Sequence, residues 1–316
     1  GTVYGIQAPV QYWRYLHNTI NLGSNGVFGG YCLYVTSTLN DCRNNVFTIT
    51  ATGLSTSIPV YASSAAAFNN FNYNMFFNGT NGNVLQIGAF TYTQANFQAP
   101  YSGGAGANSV WANPNYASPT NMHLSTALGC TIAGTPAGIT TDMDGQTRSL
   151  LAPTIGADEV VRLATDLAVE NITNPSTSSQ PAGPATVAVL VRNVGNNQIT
   201  SGNISAQLNY NGTVFTVAFT DTINPCDTHT LFIPGVVFGG SGNPVDTLKV
   251  FSDGPNGTTD NNLLNDTTRR IICGPLNGTY TIGGASPDFV SIATALAQLS
   301  CGGVSGPVKF NIRTGT

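Results

Sequence analysis

The sequence predicts an all-β protein: a parallel β-helix segment over 1–165, an immunoglobulin-like β-sandwich over 166–272, and the helix-capped start of a second β-helix over 273–316. Three observations predict this. First, only 8% of the residues are charged, 36 are glycine, lysine occurs only at 249 and 309, and glutamate only at 159 and 170. A surface of Asn, Thr, Ser and Gly suits strands and tight turns rather than solvated helices. Second, Asn followed by apolar residues recurs at His17-Asn18-Thr19-Ile20, Asn44-Asn45-Val46-Phe47 and Asn72-Tyr73-Asn74-Met75-Phe76, about 27 to 29 residues apart. That is one coil of a solenoid, with each Asn stacked on its equivalent one layer below. Third, from Asp166 onward the strands lengthen and alternate, with about seven in roughly 105 residues, which is sandwich size.

Taken in order, residues 1–100 carry short β runs at Gln11–Leu16, Cys32–Thr36, Val46–Thr50, Ile58–Tyr61, Asn74–Phe77 and Val84–Ile87. Residues 101–165 read as a cap, with Ser102–Gly106 as a turn-rich lead and Trp111, Pro114 and Tyr116 as bulk to cover an open solenoid end. In the sandwich, Thr186–Val191 is one strand. Ile204–Tyr210 and Thr213–Phe219 form a hairpin around Asn211-Gly212, and Leu231–Ile233, Thr247–Phe251 and Arg269–Ile272 follow. The last segment holds the one convincing helix, Asp288–Leu299. Phe289, Ile292, Leu296 and Leu299 fall on one face, Ser286 or Asp288 caps the start, and Gly302-Gly303 stops it. Val308–Ile312 is the strand after it.

The six cysteines show no CxxC and no zinc spacing with histidine. An even count in a chain so poor in charge favours an oxidising compartment. The expected bridges are Cys32–Cys42 and Cys273–Cys301. Cys130 and Cys226 are left over, paired or free, and the plain alternative is a set of buried thiols. A Cys273–Cys301 bridge would pin the helical cap to the end of the sandwich.

Chemistry is sparse. A polysaccharide lyase needs acids to hold Ca²⁺ and a base to abstract a proton, and a glycosidase needs two carboxylates. Residues 1–140 contain one acid, Asp41, and two arginines, Arg14 and Arg43. His17, His123 and His229 are scattered, and no nucleophile or phosphate-loop motif occurs. Asp142 and Asp144, with Gly145 permitting a sharp turn, form a candidate calcium site against the plainer reading of turn hydrogen bonds. Asp253, Asp260 and Asp266 form a second. Net charge is −4 with no basic cluster, which gives no footprint for nucleic acid, and no stretch reaches the roughly 18 apolar residues of a membrane span.

Thr141-Asp142-Met143-Asp144-Gly145-Gln146-Thr147-Arg148 followed by Ile155-Gly156-Ala157-Asp158-Glu159 resembles the β-helix ending of giant cell-surface proteins of Bacteroidetes. Asp166–Arg270, with Asp260-Asn261-Asn262 and Asn265-Asp266 before its last strand, is similar to their CARDB-like adhesion modules. Gly278–Gly284 through Gly306-Pro307-Val308 resembles the opening of a following right-handed β-helix. The resemblance implies type IX secretion, an outer-surface location, and a non-catalytic adhesive or filament role that extends to gliding motility. Its implied partners are the secretion machinery, other modules of one long chain, and a polysaccharide or cell-surface ligand. It also implies O-glycosylation at Thr222, Thr247 and Thr267, each preceded by Asp. The rival reading is a carbohydrate-active β-helix enzyme with catalytic coils elsewhere, or a polysaccharide-binding module. A row of exposed aromatics on the β-helix would favour binding.

Overall fold

The computed structural model describes residues 2–23, 29–50, 56–99, 106–118, 120–181, 183–209, 212–238 and 245–314. The chain falls into two compact units, 1–162 and 163–316.

Unit 1 is a parallel β-helix. Its first coil is β1 (Val3–Ala8), β2 (Arg14–Leu16) and β3 (Thr19–Leu22), and its second is β4 (Gly30–Val35), β5 (Asn40–Arg43) and β6 (Val46–Ile49). The third is β7 (Ile58–Ala62), β8 (Phe68–Asn72) and β9 (Met75–Asn78). β10 (Asn83–Ile87), β11 (Phe90–Thr93) and β12 (Val110–Trp111) complete the stack. Three sheets result, in the orders β1-β4-β7-β10-β11, β2-β5-β8 and β12-β9-β6-β3. All pairs are parallel except β10–β11, where β11 folds back to occupy the free edge of β10.

Register follows from what each layer must stack. Leu33 pairs with Val60 and Val60 with Leu85, and all three are fully enclosed. Phe47 and Phe76 stack with centroids 5.9 Å apart in the same core. The expected asparagine ladder is present at the corners. Asn45 Oδ1 accepts from Asn18 N (3.0 Å) and Nδ2 (2.9 Å), and Asn74 Oδ1 accepts from Asn45 N and Nδ2, both at 3.0 Å. In the next layer Ser109 Oγ takes over, accepting from Asn74 N. The residue before each rung, His17, Asn44 and Tyr73, has left-handed backbone (φ 55°, 58° and 52°). Non-glycine residues enter that region at a cost, which the ladder's buried hydrogen bonds offset.

Residues 112–118 and 120–160 do not close the end of the solenoid. They lie along its flank, on the outer face of the β12-β9-β6-β3 sheet. Phe47 and Ile49 point into the coil, while Val46 and Met75 pack outward against Leu124, Ile132, Ile155 and Val160. Trp111 is itself part of a rung, paired with Phe76, and the Tyr116 hydroxyl meets Thr48 Oγ1 at 2.9 Å. The reason is that β6 is buried on both faces, which sequence alternation alone does not convey. Ser102–Ala105 lie outside the described residues.

Unit 2 begins with a seven-stranded sandwich. β13 (Leu167–Asn174), β14 (Ala185–Asn193) and β17 (Thr228–Val236) form one sheet. β16 (Val214–Phe219), β15 (Gly202–Leu208), β18 (Val245–Asp253) and β19 (Thr267–Cys273) form the other. Val187, Val189 and Val191 alternate into the core against Ile204, Ala206, Leu248 and Val250. β15 and β16 are antiparallel partners, Gln207 opposite Val214, and Asn211 of the expected turn lies outside the described residues.

After the sandwich, β20 (Leu276–Ile282), helix α1 (Ile292–Gly302) and β21 (Val304–Ile312) form a β-α-β unit with β20 and β21 parallel. The helix starts later than the apolar spacing suggests. Ser291, not Ser286 or Asp288, is its cap, in a reciprocal box with Thr294. Asp288 instead accepts from Thr281 N and Oγ1. The buried helix face is Ala295 and Gln298, while Ile292 and Leu296 are half exposed. Phe289 is buried ahead of the helix with Leu276 and Ile282.

Candidate functional site

The Asp142–Glu159 segment is organised around Arg148. Its guanidinium is 3% exposed and donates to Glu159 Oε2 (3.2 Å) and to the carbonyls of Thr141, Thr154, Gly156 and Ala157. Glu159 accepts in turn from Ser149 N and Thr154 N. Gly156 sits against the coil with φ 102°, where a Cβ would meet Val46 Cγ2 at 2.7 Å and Thr19 Oγ1 at 2.9 Å. His17 closes the joint from the β-helix side. Its Nδ1 is 3.1 Å from Thr154 O, and its Nε2 lies 2.9 Å from Asn44 Nδ2. Asn44 Oδ1 accepts from Thr135 N, so its amide nitrogen faces the ring and the Nδ1–H tautomer follows. Burial, reinforced by Arg148, pushes His17 down to about 4. This histidine is a structural clamp, not a ligand.

The Asp142–Asp144 pair does not form the expected calcium site. Asp142 is a turn lock: Oδ1 accepts from Asp144 N (2.9 Å) and Gln146 N (2.8 Å), and Oδ2 accepts from Glu159 N (3.0 Å). Burial raises its pKa, but the Glu159, Gln146 and Asp144 amides prevail and lower it. Asp144 turns the other way, to His123 Nε2 at 2.8 Å. Asp158, 4% exposed, completes a group of three whose ligand atoms all lie within 4.8 Å of one another. Its Oδ2 also accepts from Leu124 N. One imidazole nitrogen with two carboxylates suits a zinc-like ion better than calcium, which prefers all-oxygen shells. His123 and Asp158 were not legible as partners, because an irregular segment brings them together across 21 and 14 residues from Asp144.

The Cys32–Cys42 bridge is absent. Cys32 on β4 and Cys42 on β5 belong to different sheets, and both are buried free thiols in the coil interior. Cys32 Sγ donates to Thr48 O at 3.3 Å. Burial pushes Cys32 up to about 12 and Cys42 well above its usual range, so neither offers a reactive thiolate. Cys130 and Cys226 are not free thiols. Cys273 and Cys301 are bonded, with Cα atoms 5.7 Å apart. Ser179 Oγ donates to Cys301 O (2.9 Å), and Cys273 N donates to Ser178 O (2.7 Å), so the loop before β14 is fastened to the same joint.

On the outer face of the first β-helix sheet lies a row that sequence reading did not single out. Tyr4 pairs with Tyr31 and Tyr34 with Tyr61 in adjacent rungs. Tyr34 and Tyr61 stack at 4.5 Å, Tyr31 and Tyr34 lie at 5.3 Å, and Tyr4 and Tyr34 at 5.0 Å. Gln7 and Gln86 flank the ladder. Both pairs are 27 residues apart, the coil length, which was the available signal. Elsewhere, the single acid Asp41 is held by Arg43 (2.7 Å) and Arg14 (3.4 Å). Thr222 is exposed, whereas Thr247 and Thr267 are half-buried in β18 and β19, and their preceding aspartates are buried. Asp260 and Asp266 are buried, and Asp253 is exposed. No helix among the described residues is long and apolar enough to cross a membrane.

No protein-family model matches the chain, and no curated protein does. Solved structures similar to part of it include a domain, residues 272–376, assigned to a cell-surface protein of Methanosarcina acetivorans. It is 23% identical, covers 35% of this chain and 92% of that one, and has a TM-score of 0.30. Another is the CARDB domain of a Pyrococcus furiosus protein, solved with di-metal ions: 17% identical, 36% and 92% covered, TM-score 0.28.

Proposed function

We propose that this chain is a non-catalytic structural and adhesive segment of a large secreted bacterial surface protein or filament, with the CARDB-like sandwich as a spacer between β-helices. Its place is the outer cell surface, reached by type IX secretion in a Bacteroidetes-like envelope, and its immediate partners are further modules of the same chain. The observation that carries this reading is the stapled joint between sandwich and β-α-β unit. There the Cys273–Cys301 bridge and the Ser178–Ser179 contacts remove the freedom that the glycines at 274, 278, 283 and 284 would otherwise give. The bridge closes a 28-residue separation, which stabilises by about 3.5 kcal/mol in the chain-entropy model. Pulling the chain by its ends tests it. With the bridge intact, the segment between the cysteines adds no length when unit 2 opens. Cys301→Ser should lengthen that step by about 9 nm, at roughly 3.4 Å per residue, and lower the force at which the joint yields. Equal yield forces in the two proteins would refute a mechanical role for the staple.

The tyrosine row favours a second reading, a polysaccharide-binding module for a neutral glycan. Four aromatic side chains with hydroxyl tips and flanking glutamines, without a charge in the row, suit uncharged sugars. On an array of neutral and uronic-acid polysaccharides the chain should retain neutral glycans, and Tyr34→Ala with Tyr61→Ala should lose at least tenfold in retention. Retention unchanged by the double substitution would leave only the spacer.

A further inference from the structure

His123, Asp144 and Asp158 come from three separate stretches of the unit 1 flank. Among the described residues they are the one group of His, Cys, Asp or Glu whose ligand atoms all lie within 4.8 Å of one another. Each is positioned from outside the group. Asp158 is 4% exposed, and its Oδ2 accepts from Leu124 N at 2.8 Å. Asp144 projects from the turn that Asp142 locks, and Asp142 itself is spent on the amides of Asp144, Gln146 and Glu159. Asn121, bridged through its backbone to Ser118, accepts from His123 N (3.2 Å) through Oδ1, and the same oxygen meets His123 Nδ1.

These contacts fix the tautomer. Asn121 Oδ1 accepts a backbone N–H, so an oxygen faces the ring and Nδ1 carries a hydrogen. Nε2 is left to present its lone pair to Asp144 Oδ2, 2.8 Å away. Two acceptors hold that distance only with a cation between them, either a second ring proton or a metal ion. A proton answers Asp144 alone. Asp158 would stay enclosed with no ion pair among the described residues, since Arg148 is committed to Glu159 and four carbonyls. A divalent ion answers both carboxylates and the imidazole lone pair together. The surroundings are those of a metal histidine and a metal carboxylate: a ring N–H on an oxygen, and a carboxylate oriented by an amide. Tetrahedral ligation at about 2.0 Å needs Nε2 and Oδ2 to part to about 3.3 Å, a small movement for two half-exposed side chains.

We propose that His123 Nε2, Asp144 and Asp158 bind one Zn²⁺, with Asn121 orienting the ring and water in the fourth position. The ion would tie the turn at Asp144 and the stretch at Asp158 to the chain beside Leu124. Leu124 packs there with Ile155 and Val160 against Val46 and Met75, so the ion would fasten the irregular flank onto the β-helix. This site goes beyond the spacer reading and stands without it.

The experiment uses the full chain, stripped with chelator and titrated with ZnCl₂ at neutral pH. Calorimetry counts the ions, and thermal unfolding is followed by tryptophan fluorescence, which reports unit 1 because both tryptophans, Trp13 and Trp111, lie there. One Zn²⁺ should bind at this site, and the unit 1 transition should rise by about 5–10 °C at a hundredfold excess over Kd. His123→Gln should weaken binding at least about a hundredfold, and so should Asp158→Asn, which keeps an acceptor for Leu124 N. Asn121→Ala, acting through the ring, should weaken it about 10- to 100-fold. His229→Gln removes the exposed His229–Asp221 pair and should bind as the parent does. Unfolding temperatures in chelator check that each variant is folded. Equal unfolding temperatures with and without Zn²⁺ would overturn the proposal, as would a full response in His123→Gln or its loss in His229→Gln. A zinc-insensitive chain with a His123-dependent stability present below about pH 6.5, lost as pH rises through the folded pKa, would also overturn it. The trio would then be an ion pair, because Asp144 holds the His123 pKa above its ordinary value and a raised histidine pKa gives that sign.

Discussion

Arg148→Met is expected to destabilise unit 1 by about 3–5 kcal/mol, the cost of removing one partner of a buried ion pair. The side chain fills similar volume, so the loss reports charge and hydrogen bonding rather than a cavity. Glu159, 7% exposed, would lose its ion-pair partner, and four carbonyls would each lose the donor that Arg148 supplies. Two of them, Thr154 O and Gly156 O, also face His17 Nδ1, so the damage reaches the first coil. Urea unfolding followed by tryptophan fluorescence reads this without interference from unit 2. Adding Glu159→Gln should recover part of the loss by removing the stranded charge. The amide cannot restore all of it, because Ser149 N and Thr154 N each need an acceptor oxygen that Glu159 now supplies. A change under about 1 kcal/mol for Arg148→Met would mean that the segment is held by its apolar contacts with Val46 and Met75 alone.

The parts of the fold legible in the sequence are those where one residue type must recur. A stacked corner needs Asn in each coil, so the 27- and 29-residue spacing was readable. β5 and β8 were not, because they are four or five residues long and carry Asn, Asp and Arg where a strand is expected to show apolar alternation. Double-sided burial hid the flank packing in the same way: Val46-Phe47-Thr48-Ile49 reads as one short run, and nothing in it says that two faces are covered. The helix start was misplaced because Phe289 and Ile292 are correctly spaced for a helical face, yet Asp288 is engaged by Thr281 and Ser291 is the residue with cap geometry.

Site reading failed where proximity comes from topology. Ten residues separate Cys32 from Cys42, a plausible disulfide loop in a hairpin. In a solenoid the same ten residues turn a corner into another sheet, and both thiols end as small apolar fillers. Cys273 and Cys301 were predictable because one closes the last sandwich strand and the other lies at the end of the helix that follows, so a bridge pins that helix to the sandwich end. Asp142 and Asp144 were read as a pair from their spacing, but a tight turn at Gly145 (φ 81°) spends one on backbone amides and sends the other to His123.

Asn45→Ala is expected to cost unit 1 about 4 kcal/mol, again read by tryptophan fluorescence in urea. Asn45 is fully enclosed and uses its whole amide. Nδ2 serves Tyr15 O (2.8 Å), Arg43 O (3.0 Å) and Asn74 Oδ1 (3.0 Å), and Oδ1 receives Asn18 N and Nδ2. Alanine strands these groups where water cannot reach, and each stranded group costs about 1–3 kcal/mol, with partial relaxation keeping the sum below simple addition. Asn45→Asp separates the two halves of that function. It keeps the acceptor for Asn18 but turns the donor toward Tyr15 O and Arg43 O into a second acceptor, charged and buried. Its carboxyl pKa in the folded state must lie above the unfolded value, so this variant should be nearest to wild type at acid pH and lose stability as pH rises through that folded pKa. Alanine has no such dependence. If both variants show the same pH profile, the ladder contributes packing alone, and the coil spacing of the asparagines needs another cause.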